Sequence, residues 1–250
     1  MDKLIYTAMT GAKHLLNRQA TISNNLANAN TTGFRAETTA FRVAPLTPGR
    51  PGEGMMTRYF AVDSTTGFDT TPGTIATTGR ELDAAIDGNG WFTVQGDDGT
   101  EGYTRDGHFE LGADGTLVTA SGRQVIGEGG PITVPADHRV LFGSDGTVSA
   151  SPLSQPNSII QIGKLKLVNP DTAELQKGAD GLVRLRSGDS ADADGNVRMV
   201  GSALEGSNVN VVEAMVSMIE VSRQFDMQLQ MLKNAEQNGQ SGQKLLSNNT

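Results

Sequence analysis

The chain contains no cysteine. Disulfides, thiolate metal centres and cysteine nucleophiles are therefore excluded, and such a chain suits life outside the cytoplasm. Histidine is nearly as scarce: His14, His108 and His138 lie far apart, with no His-x-x-x-His spacing, so neither a zinc site nor a histidine-centred catalytic site is expected. Aromatic residues make up 5% of the 250 residues while glycine reaches 31, which points to a turn-rich chain with a thin core. Unbroken apolar runs of about eighteen residues are missing, so no span through a bilayer is expected. Positive charge is short as well. The net charge of -8 and the pI near 4.9 argue against nucleic acid or an anionic membrane as a principal partner. The N-terminus lacks the basic, apolar and small-residue pattern of a signal peptide, so any export uses another route.

Catalytic patterns are also missing. Gly127-Glu128-Gly129-Gly130 and Gly88-Asn89-Gly90 have neither the Walker ending nor the Rossmann spacing, and no Gly-x-Ser-x-Gly elbow occurs. The acidic stretch Asp189 to Asn196 resembles the start of a calcium loop. In the register beginning at Ser190, however, Gly201 falls where a bidentate Glu is required, so a solvated turn is expected. Carboxylates are plentiful enough for a glycosidase pair, but no pair is singled out. No catalytic residue, metal ligand or cofactor is assigned, and the chain reads as a protein that is not an enzyme.

What is present lies first at the two ends. Val211, Met215, Met218, Phe225, Leu229 and Leu232 alternate at spacings of three and four, with Ser222 as the one interruption. That is the seam of a helix packing on helices. Ile5, Ala8, Ala12, Leu15, Ile22 and Leu26 repeat the spacing near the N-terminus, broken only by Gln19. Asp2 can cap the first helix, and Asn210 with Glu213 can form a capping box for the second. Stops are expected at Asn28 to Gly33 and at Asn238-Gly239. Each buried apolar side chain contributes roughly 1.5–3 kcal/mol, whereas ordering each backbone residue costs about 1–2 kcal/mol, so helices this long need neighbours to become ordered. An intramolecular helical hairpin is the competing reading.

Between the ends, residues 33–79 are rich in Thr, Pro and Gly. Pro45, Pro48, Pro51 and Pro72 forbid a long helix there, leaving an extended connector with short strands such as Phe41-Arg42-Val43 and Tyr59 to Val62. From residue 80 to 200, short apolar runs alternate with Asp-Gly pairs, the signal of consecutive hairpins. Strands are expected at Trp91 to Gln95, Gly102 to Arg105, His108 to Leu111, Thr116 to Thr119, Ile159 to Ile162, Lys164 to Val168 and Leu182 to Leu185. The fold class is α+β: N- and C-terminal helices forming a coiled-coil-like pair, with an inserted, mostly antiparallel β-domain, a barrel or a sandwich. The segments are 1–32, 33–79, 80–200 and 201–250, the last a return segment and second helix.

Several stretches resemble the bacterial flagellar rod and hook axial proteins. They are Met1 to Gly11, Ile22 to Asn28 with Thr32-Gly33-Phe34, Gly88 to Phe92, Tyr103 to Phe109, Gly115 to Val118, and Leu204 to Val212 with Met215 to Ile219. Within that family, Met1 to Gly11 and the run from Arg223 to Gln228 through Met231-Leu232-Lys233 look most like the proximal-rod members, with the distal rod next. The resemblance implies a structural subunit exported unfolded through the flagellar export apparatus, without signal cleavage. Such a subunit assembles with copies of itself and other rod proteins into a torque-transmitting tube within the periplasm. The heptad residues of both ends are then the expected assembly interface. A distal-rod or hook-side protein is the nearer alternative, and a secreted glycan-binding protein or enzyme the alternative from another class.

Overall fold

The computed structural model describes residues 2–45, 59–155 and 158–247; the side chains of residues 2–8, 41–45, 59–66 and 238–247 lie outside that description. Expectations for Asp2, Ile5, Ala8, Pro48 and Pro51 fall outside the described residues or side chains. The described chain forms two compact units, each assembled from separated segments. The helical unit takes residues 1–27, 37–67 and 210–250, and the β-unit takes residues 28–36 and 68–209. The segment expected as a connector thus contributes to both.

In the helical unit, α1 is Asp2–Ala27 and α2 is Val211–Ser247. α1 stops where Asn and Gly enter, and Thr31 N donates to the Asn28 carbonyl at 3.1 Å in the turn that follows. α2 starts under the expected cap: Asn210 Oδ1 accepts from Val212 N at 3.1 Å and Glu213 N at 3.2 Å. Its expected stop at Asn238-Gly239 is corrected, because the helix continues to Ser247. Gly239 and Gly242 cost only about 1 kcal/mol each, and Gln240, Gln243, Lys244, Leu245 and Leu246 are good helix formers. β1 (Glu37–Pro45) and β2 (Tyr59–Phe68) pair with each other. Asn25 ties α1 to β1 with two bonds, donating to the Glu37 carbonyl at 2.9 Å and accepting from Glu37 N at 2.8 Å.

In the β-unit the strands run β3 (Ile75–Thr77), β4 (Ala84–Asp87), β5 (Trp91–Gln95), β6 (Glu101–Thr104), β7 (Phe109–Leu111) and β8 (Leu117–Thr119). They continue with β9 (Ile126–Gly127), β10 (Gly130–Pro131), β11 (His138–Phe142), β12 (Thr147–Pro152), β13 (Ile160–Lys164) and β14 (Leu167–Val168). The last are β15 (Leu175–Lys177), β16 (Val183–Leu185), β17 (Arg198–Gly201) and β18 (Ala203–Glu205). The expected strand from Lys164 to Val168 is therefore divided between β13 and β14. All the strand pairs with a described register are antiparallel, in a five-stranded sheet β14-β5-β6-β16-β15, a three-stranded sheet β11-β12-β13 and several two-stranded pairs. Small sheets thus surround the core where two large ones, or one closed one, had been expected.

The long-range pairs matter most. β17 pairs with β4 and β18 with β3, so the last strands close onto the first. β5 is buried on both faces, so its sequence shows no strict alternation of apolar and polar residues. Phe92 and Val94 enter the main core, where Phe92 meets Phe109 edge-on at 5.2 Å. Trp91 points the other way, into a second cluster with Tyr103, Val168, Leu175 and Val183.

Four of the Asp-Gly pairs close hairpins, and they share one turn. In Gly96 to Thr100, Gly112 to Thr116, Gly143 to Thr147 and Gly178 to Leu182, the first amide donates to the fifth carbonyl and the fourth amide to the first carbonyl, at 2.7–3.1 Å. The aspartate accepts from the amide two residues on, and the glycine after it sits at φ of 79, 79, 88 and 81°. Only glycine takes that left-handed position without strain. Asp87-Gly88, Asp106-Gly107 and Asp194-Gly195 join no such pair, because β4 and β6 find their partners elsewhere in the chain.

Candidate assembly surface

On α2, Ala214, Met218, Val221, Phe225, Gln228, Leu232 and Ala235 are withdrawn from water at an alternation of four and three, with Ser217 partly buried beside Met218. Val221 is fully buried. Met218, Phe225 and Leu232 of the heptad reading share this line, whereas Val211, Met215 and Leu229 are 37, 50 and 41% exposed. The second position of the heptad is thus filled by the residue preceding the one expected. The polar Ser222, lying beside Val221, was the signal. On α1, Ala12, Leu15, Ile22 and Leu26 are partly buried, together with Gln19. His14 is more buried than any of these, at 8%. Gly11 lies against α2, since a Cβ placed there would meet the Gln228 side chain at 3.5 Å.

A second row on α2 is apolar and open. Val212, Val216, Ile219, Met227 and Met231 are all more than half exposed and form a row interrupted at Arg223; Met9 and Leu16 are similarly open on α1. Single exposed apolar residues need no explanation, but a row of them along one helix marks an interaction surface.

The β-unit contains a second arrangement that the sequence did not reveal. Glu205 is fully buried between two buried arginines. Its Oε1 accepts from Arg35 Nη2 at 2.7 Å and from Gly73 N at 2.7 Å, and its Oε2 accepts from Arg105 Nη1 at 3.0 Å. Arg105 Nη2 also donates to the Gly88 carbonyl at 2.7 Å. Burial lowers the Arg105 pKa to about 10; Glu205 acts to raise it and Arg35 to lower it further. Among the described residues, Arg35 Nε and Nη1 and Arg105 Nε find no hydrogen-bond acceptor. The Trp91 ring lies 5.9 Å from the Arg35 guanidinium carbon and 5.3 Å from that of Arg105, so the indole face supplies the remaining attraction.

The neighbouring ties bind the same segments. Gly33 N donates to the Glu205 carbonyl at 2.8 Å. Any Cβ on Gly33 would lie 2.3 Å from the Arg105 backbone, which explains the glycine. Asn208 accepts from Ala36 N at 2.7 Å and donates to the Asp69 and Thr71 carbonyls at 3.2 and 3.1 Å. Lys177 Nζ sits 4.2 Å from the Phe34 ring centroid. This clamp therefore joins residues 33–36, 69–74 and 205–208 to the sheet.

The remaining candidates are separate from both features. His108 Nδ1 lies 3.1 Å from Asp83, His138 Nδ1 lies 2.7 Å from the Ala136 carbonyl, and Asp194 accepts from Asn196 N at 2.9 Å. Among the described residues no three His, Asp or Glu side chains gather as a metal site, and no helix is long and apolar enough to cross a membrane.

An open apolar helix surface joined to a β-unit locked by buried charge defines a subunit built to pack. Comparison with known proteins agrees. Family models match residues 5–35 (flagella basal body rod protein), 85–150 (flagellar hook protein FlgE/F/G D1 domain) and 200–245 (flagellar basal body rod FlgEFG protein C-terminal). The chain belongs to the flagellar basal-body rod protein family, and it is a structural subunit of that rod. Among its relatives, the flagellar basal-body rod protein FlgF of Salmonella typhimurium is 44% identical, with 99% of each chain covered. FlgF of Escherichia coli is 42% identical over the same shares, and FlgG of Bacillus subtilis 36% identical over 90% of this chain and 92% of its own. These relatives do not favour the glycan-binding alternative.

Arg105, Glu205, Asn208 and Asn25 all lie inside the stretches that carried the family resemblance. Their chemistry was missed because pairing between residues 12, 100 or 172 apart leaves no periodicity to read.

Proposed function

We propose that this subunit builds a tubular, torque-transmitting axial structure by packing the exposed apolar rows of α2 and α1 against copies of itself and against other rod proteins. The observation that carries this reading is the row Val212, Val216, Ile219, Met227 and Met231, left in water by its own chain. Each such side chain contributes about 1.5–3 kcal/mol when fully covered. Met218, Phe225 and Leu232 pair with Ala12, Leu15, Ile22 and Leu26 within one subunit in a coiled-coil-like manner, while Val211, Met215 and Leu229 widen the open surface. Ile5 and Ala8 extend the interface toward the N-terminus. The chain reaches the periplasm unfolded through the flagellar export apparatus, without signal cleavage, and takes a place in the proximal rod.

Ile219→Asp tests this. Its side chain is 55% exposed, so the isolated protein keeps its far-ultraviolet spectrum and urea midpoint. In cells lacking the wild-type copy, the variant is expected to be missing from isolated basal bodies and swimming to be lost. Wild-type incorporation and swimming would refute the proposal. Gold labelling of the tagged subunit on basal bodies separates a proximal from a distal position.

A further inference from the structure

We propose that Glu205 is the closing element of a folding latch, so that the β-unit crosses its folding barrier only when residues 203–208 join residues 33–36 and 69–74. Arg35 and Glu205 are separated by 170 residues, and their contact closes nearly the whole β-unit. Without Glu205, burial of Arg35 and Arg105 places two guanidinium groups out of water with no counter-charge, so both stay hydrated and the Trp91 side of the sheet stays open. The same six residues complete two further structures. β18 is the partner of β3, and Asn208 ties Ala36, Asp69 and Thr71 together. By contrast, the four Asp-Gly hairpins need only residues within the turn. Local hairpins therefore form early in an incomplete chain, and the unit as a whole waits for its C-terminal segment.

The test is folding kinetics of the full chain by stopped-flow fluorescence of Trp91, the one tryptophan. Glu205→Gln is expected to slow refolding about a hundredfold while changing unfolding less than about threefold, because the lost contact belongs to the transition state. Unfolding accelerated about a hundredfold with unchanged refolding would overturn the latch. If Glu205→Gln does not fold, Asn208→Ala is read the same way. Pulsed hydrogen exchange on the wild type gives an independent reading. The latch requires the Gly73 and Ala36 amides, which donate to Glu205 and Asn208, to gain protection together with the Gln95 amide of the central sheet. Protection of Gln95 well before Gly73 and Ala36 would overturn it.

Discussion

The three buried charges of the clamp are unequal in consequence, and their arithmetic can be tested. Two guanidinium groups share one carboxylate, so the cluster carries one excess positive charge as it stands. Arg35→Met leaves Glu205 and Arg105 as a neutral pair, and Glu205 Oε1 keeps the Gly73 amide at 2.7 Å. The variant gives up one charge-assisted hydrogen bond, worth about 1.5–3 kcal/mol, but it also removes the burial cost of a cation and its repulsion on Arg105. Its net cost is expected to stay within about 1.5 kcal/mol. Glu205→Met takes away the only anion and leaves two buried cations facing one another. The expected cost is about 3–5 kcal/mol, a large part of the about 5–15 kcal/mol that stabilises an ordinary domain. Equilibrium urea unfolding followed by Trp91 fluorescence measures both, because the indole sits within 6 Å of each guanidinium carbon. Equal losses in the two variants would refute the charge count and leave packing volume as the explanation.

The hairpin turns give two more expectations. Gly99→Ala meets no atom within 4 Å but must hold φ at 79°, whereas Gly115→Ala at the same φ also drives its Cβ to 2.5 Å from the Val134 carbonyl. We expect a loss of about 1–2 kcal/mol for the first and at least about 1 kcal/mol more for the second, measured as urea midpoints; equal losses would show that the turn relaxes around the clash. The turn aspartates contribute to the acid sensitivity of the fold. Asp98, Asp114 and Asp145 lie below 3.8 chiefly through side-chain hydrogen bonds to Thr100, Thr116 and Thr147, and Asp180 does so through its bond to Arg184. A lowered folded-state pKa contributes stability that is complete above 3.8 and is lost as pH falls through the lowered value. Acid titration of Asp145→Asn is therefore expected to show a shallower loss of stability below pH 4 than the wild type; an identical slope would contradict this.

The local part of the fold was legible and the remote part was not. Four of the seven Asp-Gly turns and the Asn210 half of the capping box are written within five residues of sequence, and these form as read. On α2, Met218, Phe225 and Leu232 lie on the line of burial, whereas the second heptad position falls one residue before Met215 and Leu229, which are as apolar as any core residue. Their freedom to stay exposed is decided by which side of the helix its own chain covers. The second heptad position thus depends on tertiary contact, as do the pairings of β17 with β4 and β18 with β3. The clamp was least visible of all, since an isolated Arg or Glu reads as surface until its partner is known.

The backbone passes between the helical unit and the β-unit four times, near residues 27, 36, 67 and 209. Two domains joined by a single linker would put any twisting load on one peptide strand. Here there are four crossings, and those near residues 36, 67 and 209 adjoin the hydrogen-bonded segments 33–36, 69–74 and 205–208. For a subunit that carries torque as proposed, the interleaved chain offers four backbone paths for the load in place of one.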